Sequence, residues 1–186
     1  FTADATFKLD EFTLELQDVL RDAVRLRLRS DVPVGAHLSG GLDSSAISCL
    51  ASELLDGTLH VFTCGFKDAD RYDETRYARL VGEHLGAAYH EYFPSAQDLA
   101  DTFEKLVYWL DEPVAGAAVF PQYFLSRLAS ENVKVVLGGQ GGDELFCGYA
   151  RYLVAYLESC LQRAIYGTAP MAGGVRLEDI AGNLDY

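Results

Sequence analysis

Short apolar runs that stop abruptly at glycine recur through this chain, and longer stretches with helical periodicity separate them. The clearest run, Val133-Lys134-Val135-Val136-Leu137, passes straight into Gly138-Gly139-Gln140-Gly141-Gly142. A second, Val34 to Leu38, passes into Ser39-Gly40-Gly41. Short apolar runs bounded by turn residues suit strands that are buried on both faces. Strands alternating with helices need crossover connections, and these build a parallel sheet. The expected fold is therefore α/β: an open, mainly parallel sheet with helices on both faces.

The other elements follow from the same periodicities. Residues 10–29 place Phe12, Leu16, Val19, Leu20, Ala23, Val24 and Leu28 at helical spacing, and Pro33 closes that segment. A helix is predicted over 44–55, ended by Asp56-Gly57, and a strand over 59–66. Asp73 and Glu74 open a helix to Leu85, with Gly86 where a C-cap glycine belongs. Residues 89–93 read as a strand and 96–110 as a helix. Asp111-Glu112-Pro113 breaks the pattern, because the residue before a proline avoids the helical region. A helix over 120–130 precedes the run at 133–137, which is expected as a buried strand, and 149–165 reads as a final amphipathic helix. The tail over 167–186 is glycine-rich and weakly periodic, so a partial domain over 1–166 followed by a weakly structured tail is expected.

Ligands of open parallel sheets bind beyond the carboxyl ends of the strands, where strand order reverses. If strands 34–38 and 133–137 are neighbours, with 59–66 and 89–93 on the other side, both glycine loops face one crevice. The expected order is 89–93, 59–66, 34–38, 133–137. Ser39-Gly40-Gly41 can turn its N–H groups outward, and the helix opening near Asp43-Ser44 aims its positive end at the same point. That arrangement cradles a pyrophosphate group. Alone, the loop could equally be a plain turn with Asp43 or Ser44 as N-cap. Two such loops in one α/β chain are far more specific, and Asp43 and Asp143 would then hold magnesium against a triphosphate as hard oxygen ligands.

Composition excludes several classes. Hydrophobic residues make up 49% and charged residues 23% of the 186, which suits a globular domain. Net charge is −13, from 28 acidic and 15 basic residues, which argues against nucleic acid as the main partner. No apolar run approaches membrane-spanning length and no leader opens the chain, so a cytoplasmic location is expected. Cys49, Cys64, Cys147 and Cys160 lack zinc-ligand spacing and read as reduced thiols.

Leu38-Ser39-Gly40-Gly41-Leu42-Asp43-Ser44-Ser45 resembles the S-G-G-x-D-S loop of the N-type ATP pyrophosphatases, the PP-loop superfamily. Gly139-Gln140-Gly141-Gly142-Asp143-Glu144-Leu145-Phe146-Cys147-Gly148-Tyr149 is similar to a motif typical of glutamine-dependent asparagine synthetases and their relatives. Asp73-Glu74 and Asp111-Glu112-Pro113 also look like pieces of that family, and the similarity covers roughly Asp31 to Tyr156.

The resemblance implies ATP and Mg2+ as ligands and aspartate as second substrate. Leu38 and Cys64 would border adenine and ribose, and Gly138 and Gly139 would approach the nucleotide with backbone only. Ser39, Gly40, Gly41, Asp43 and Ser44 would bind pyrophosphate, and Asp143 would share the metal with Asp43. The reaction implied forms β-aspartyl-AMP and pyrophosphate, after which ammonia displaces AMP. Several members carry Glu where this chain has Gln140, and that carboxylate is a natural proton acceptor, which an amide is not. Gln140 and Asp143 are thus the residues expected nearest the chemistry. An N-terminal glutaminase domain would supply ammonia. Its nucleophilic cysteine and the downstream part of the synthetase have no counterpart here, so the chain is expected to be a piece of a larger enzyme, inactive alone. A homodimer is compatible with the family. Two other readings stay open: a nucleotide-binding module without turnover, and a relative that adenylates a different carboxylate.

Overall fold

The computed structural model of the chain describes residues 8–66, 73–112, 116 and 118–166. It divides into two compact units, one of residues 18–140 and the other of the segments up to residue 17 and from 141 onward. The expected tail over 167–186 lies outside the described residues, as does Pro113.

In the first unit, β1 (Val34–His37), β2 (His60–Cys64), β3 (Ala88–Tyr92) and β4 (Val135–Leu137) form one sheet in the order β3-β2-β1-β4. Every pairing is parallel, with Val34 opposite Val135, Ala36 opposite Val61 and Val61 opposite Tyr89. This is the order expected from the sequence.

The alternation of strand side chains explains how both faces come to be covered. Val34, Ala36, Leu38 and Val61 point to one face. There they meet Val24 of α1 (Leu9–Arg27), Ala51 of α2 (Leu42–Leu54) and Ala78 of α3 (Thr75–His84). Phe62 points to the other face and packs with Ala129 and Leu125 of α5 (Val119–Ser130), together with Val133. Val61 and Phe62 are fully buried, and each such side chain contributes about 1.5–3 kcal/mol by leaving water.

Local chemistry sets the element ends. Gly86 takes φ +59 after α3, with its N–H bonded to Glu83 O and that of Ala87 to Gly82 O, which is a Schellman cap as the sequence led one to expect. α4 (Ala96–Trp109) opens on a capping box between Ser95 and Asp98. Asp111 follows it in the left-handed region at φ +55.

Two expectations are corrected. β4 starts at Val135, not Val133, because the N–H groups of Asn132 and Val133 both bond to Ala129 O at the end of α5. It also lies at the edge of the sheet among the described strands, with Val135 37% exposed, so it is not a strand buried on both faces.

In the second unit, residues 142–146 form a short helix, α6 (Gly142–Phe146), ahead of α7 (Ala150–Tyr166). Gly141 at φ +98 and Cys147 at φ +60 bracket α6. Among the described residues, no helix is long and apolar enough to cross a membrane.

Candidate functional site

The carboxyl ends of β1 and β4 lie side by side, because Ala36 is the register partner of Leu137. The two glycine loops of the first unit therefore leave the sheet as neighbours, and they touch. A Cβ added at Gly139 would lie 2.8 Å from the main-chain N of Ser44 and 3.1 Å from Asp43 Cβ. Only glycine fits that seat.

The first loop is held by two hydroxyls. Ser44 Oγ accepts from Ser39 N at 3.2 Å, lies 2.9 Å from Ser39 Oγ, and donates to Gly41 O at 3.1 Å. Ser39 Oγ in turn accepts from Gly41 N at 3.2 Å. Gly40 turns at φ +88, and a Cβ there would strike the main chain of α3 at Ala78 N, 2.6 Å away. The N-cap of α2 is Gly41, which has no side chain to cap the first-turn N–H groups that follow it. Asp43 and Ser44 lie inside the helix, so the plain-turn reading with either as N-cap does not hold. An uncapped helix end presents first-turn N–H groups with no intrahelical partner. Such an end fits an anion.

Leu38 forms the floor. Its side chain is buried, its N–H bonds to Phe62 O at 2.9 Å, and its C=O accepts from Thr63 Oγ1 at 2.7 Å. Cys64 is half-buried at the end of β2, and burial pushes its thiol up to about 11. Gln140 folds back over the β4 loop, its Oε1 only 2.1 Å from where a Cβ of Gly138 would sit. Leu38, Ser39, Gly40, Gly41, Asp43, Ser44, Cys64, Gly138, Gly139 and Gln140 thus all belong to the first unit.

Asp143 belongs to the second unit, half-buried in the first turn of α6. Its Oδ1 would lie 1.9 Å from a Cβ at Gly148, so a side chain there would displace the Asp143 carboxylate. The N–H groups of Cys147 and Gly148 both bond to Asp143 O. Tyr149 donates its hydroxyl to Glu144 Oε1 at 2.7 Å, which holds the Glu144 carboxyl below its ordinary range. The Arg151 guanidinium covers the Tyr149 ring at 3.6 Å from its centre. Sequence reasoning missed this Glu144–Tyr149–Arg151 cluster, although an aromatic and an arginine two residues apart at a helix start could have signalled it.

Among the described residues no three His, Cys, Asp or Glu side chains gather as a metal cage. Magnesium is held by one or two carboxylates together with substrate phosphates, so a single carboxylate could contribute to such a site. The half-buried carboxylate of Asp43 beside an uncapped helix end is a donor of that kind.

A parallel sheet with a pyrophosphate-type loop on one strand and a second glycine loop on its neighbour defines the PP-loop α/β class. The fold is similar to that of the NH3-dependent NAD synthetase from Campylobacter jejuni, with a TM-score of 0.51 and 18% identity over 74% of this chain and 60% of that one. The family model for asparagine synthase matches residues 15–183, and the chain belongs to that family. Asparagine synthetase (glutamine-hydrolyzing) 1 of Bacillus subtilis is 37% identical over 77% of this chain and 22% of its own length. A protein of Methanocaldococcus jannaschii, provisionally named asparagine synthetase (glutamine-hydrolyzing) 2, is 43% identical over 76% of this chain and 27% of its own. The Brassica oleracea asparagine synthetase (glutamine-hydrolyzing) is 35% identical over 73% of this chain and 25% of its own. The chain thus spans about a quarter of the length of these curated relatives.

Proposed function

We propose that this chain carries the ATP-binding, adenylating part of an amide-forming ligase. In the full-length protein it activates the side-chain carboxylate of aspartate as β-aspartyl-AMP, which ammonia converts to asparagine. The observation that carries this reading is the seat of Gly139 on Asp43 and Ser44. It joins the loop typical of asparagine synthetases to the loop typical of pyrophosphate binding.

In this reading the N–H groups at the α2 end receive the pyrophosphate oxygens, and Ser39 and Ser44 keep the loop in the receiving shape. Gly138 and Gly139 let the nucleotide approach backbone alone, while Leu38 and Cys64 line the base and ribose side. Asp43 would help hold magnesium, which would supply neutralisation of phosphate charge. Gln140 lies nearest the incoming amine, where its amide can orient but cannot take a proton. The catalytic power comes from positioning and from stabilising developing charge. The relatives are named as glutamine-hydrolyzing, which supports a glutaminase domain of the full-length protein as the ammonia source in this reading. Residues 1–166 form part of the synthetase domain, working in the cytoplasm without nucleic acid or membrane as partner.

The test is ATP–pyrophosphate exchange by the full-length protein, followed by asparagine formation from ammonia. Aspartate should stimulate exchange, and ammonia should then yield asparagine. MgATP binding without aspartate-dependent exchange would overturn the reading in favour of a binding module without turnover.

A further inference from the structure

Gly40 of the pyrophosphate-type loop rests on the first turn of α3, where a Cβ on it would lie 2.7 Å from Tyr77 Cβ and 2.6 Å from Ala78 N. Arg76, the residue before, is exposed, lays its guanidinium 4.4 Å from the centre of the Tyr77 ring, and donates to the Tyr77 hydroxyl. We propose that Arg76, steadied on Tyr77, is a phosphate-binding residue that reaches over Gly40 to the bound triphosphate or pyrophosphate. This rests on the adenylation reading given above.

Three observations converge on it. First, Arg76 is a cation in the opening turn of α3, where it opposes the helix dipole that the Asp73 carboxylate, accepting from Thr75 N at 3.0 Å, complements. Local rules are broken at functional sites more readily than elsewhere. Secondly, the chain carries a net charge of −13, and the loop brings its own carboxylate, Asp43, so a phosphate there needs a nearby cation. Thirdly, Arg76 is in no ion pair with a carboxylate among the described residues, whereas Arg79, one turn on, is bound to Glu91 at 2.7 Å. A guanidinium held over an aromatic ring and bonded to its hydroxyl loses less freedom on binding, and it keeps further N–H donors for phosphate oxygens.

The experiment compares Arg76→Gln, Arg76→Lys and Arg79→Gln in the full-length protein, reading MgATP affinity by titration and exchange kinetics at two salt concentrations. Arg76→Gln should weaken MgATP about tenfold, as expected for one charge-assisted contact, with KM for ATP rising and KM for aspartate unchanged. Arg76→Lys should recover part of the loss, because the charge returns without the fork. Arg79→Gln removes the same charge from the same helix and should change affinity less than twofold. Equal affinities for wild type and Arg76→Gln would overturn the assignment, as would equal losses in Arg76→Gln and Arg79→Gln. A wild type that neither binds MgATP nor exchanges pyrophosphate would instead fail the functional reading itself, and this assignment with it.

Discussion

Gly139 and Ser44 approach so closely that a methyl group on the glycine would lie 2.8 Å from the main-chain nitrogen of the serine. Real side chains do not tolerate that distance to a backbone atom, so the contact couples the two loops mechanically.

Gly139→Ala should therefore push the loops apart. The expected loss is about 1–3 kcal/mol of stability, the usual cost of overpacking, together with weaker MgATP binding. Urea unfolding and nucleotide titration would measure both. Gly116→Ala, where the added methyl meets nothing within 4 Å, is the control and should leave binding unchanged.

Ser44→Ala should harm the loop more than Ser39→Ala. Ser44 Oγ serves Ser39 N, Ser39 Oγ and Gly41 O, whereas the Ser39 hydroxyl serves Gly41 N and Ser44 alone. Losing a part-buried hydrogen-bond partner costs about 1–3 kcal/mol. The check is MgATP affinity in both variants, and a Ser39→Ala defect larger than that of Ser44→Ala would contradict the hierarchy.

Asp143 and Gln140 should separate by step. Asp143→Asn replaces the carboxylate of the second loop's aspartate with a neutral amide and, in the adenylation reading, should slow adenylation by about a hundredfold or more. Gln140→Glu should leave pyrophosphate exchange largely intact and change the ammonia-dependent step and its pH profile, where a new carboxylate can accept a proton. Paired assays of exchange and asparagine formation decide it. Normal exchange by Asp143→Asn, or lost exchange by Gln140→Glu, would reverse the roles.

Cys64 should be the slow thiol. Burial disfavours its thiolate and moves the pKa up to about 11, so the reactive form is scarce at pH 8 and grows as pH rises towards that value. The exposed Cys147 should be alkylated first. Mass spectrometry of a timed iodoacetamide reaction would show the order, and MgATP should slow Cys64 further if that residue borders the nucleotide.

The strand order was legible because the four apolar runs carry their own boundaries, and parallel crossovers leave few arrangements. The end of α3 was legible too, since Gly86 is the residue a left-handed cap requires. β4 was read two residues too long because the amides of Asn132 and Val133 are taken by Ala129 O, a competition that apolar periodicity does not register. α6 went unread because five residues between a left-handed glycine and a left-handed cysteine show no period. The glycines of the site announced themselves, but not what they press against. That Gly40 meets Tyr77 and Ala78 depends on how α3 packs and is written in no motif.

The pairing of Val34 with Val135 has a consequence for how the protein comes into being. During synthesis the first glycine loop emerges long before the strand that will flank it. Closing so long an intervening stretch costs entropy before any contact repays it. Until β4 arrives, the first glycine loop has no Gly139 beneath Ser44, and in the adenylation reading nucleotide capture must wait for the last of the four described strands. Premature termination before residue 135 would thus release a chain that carries the signature of ATP binding but lacks its seat, a species for quality control to clear.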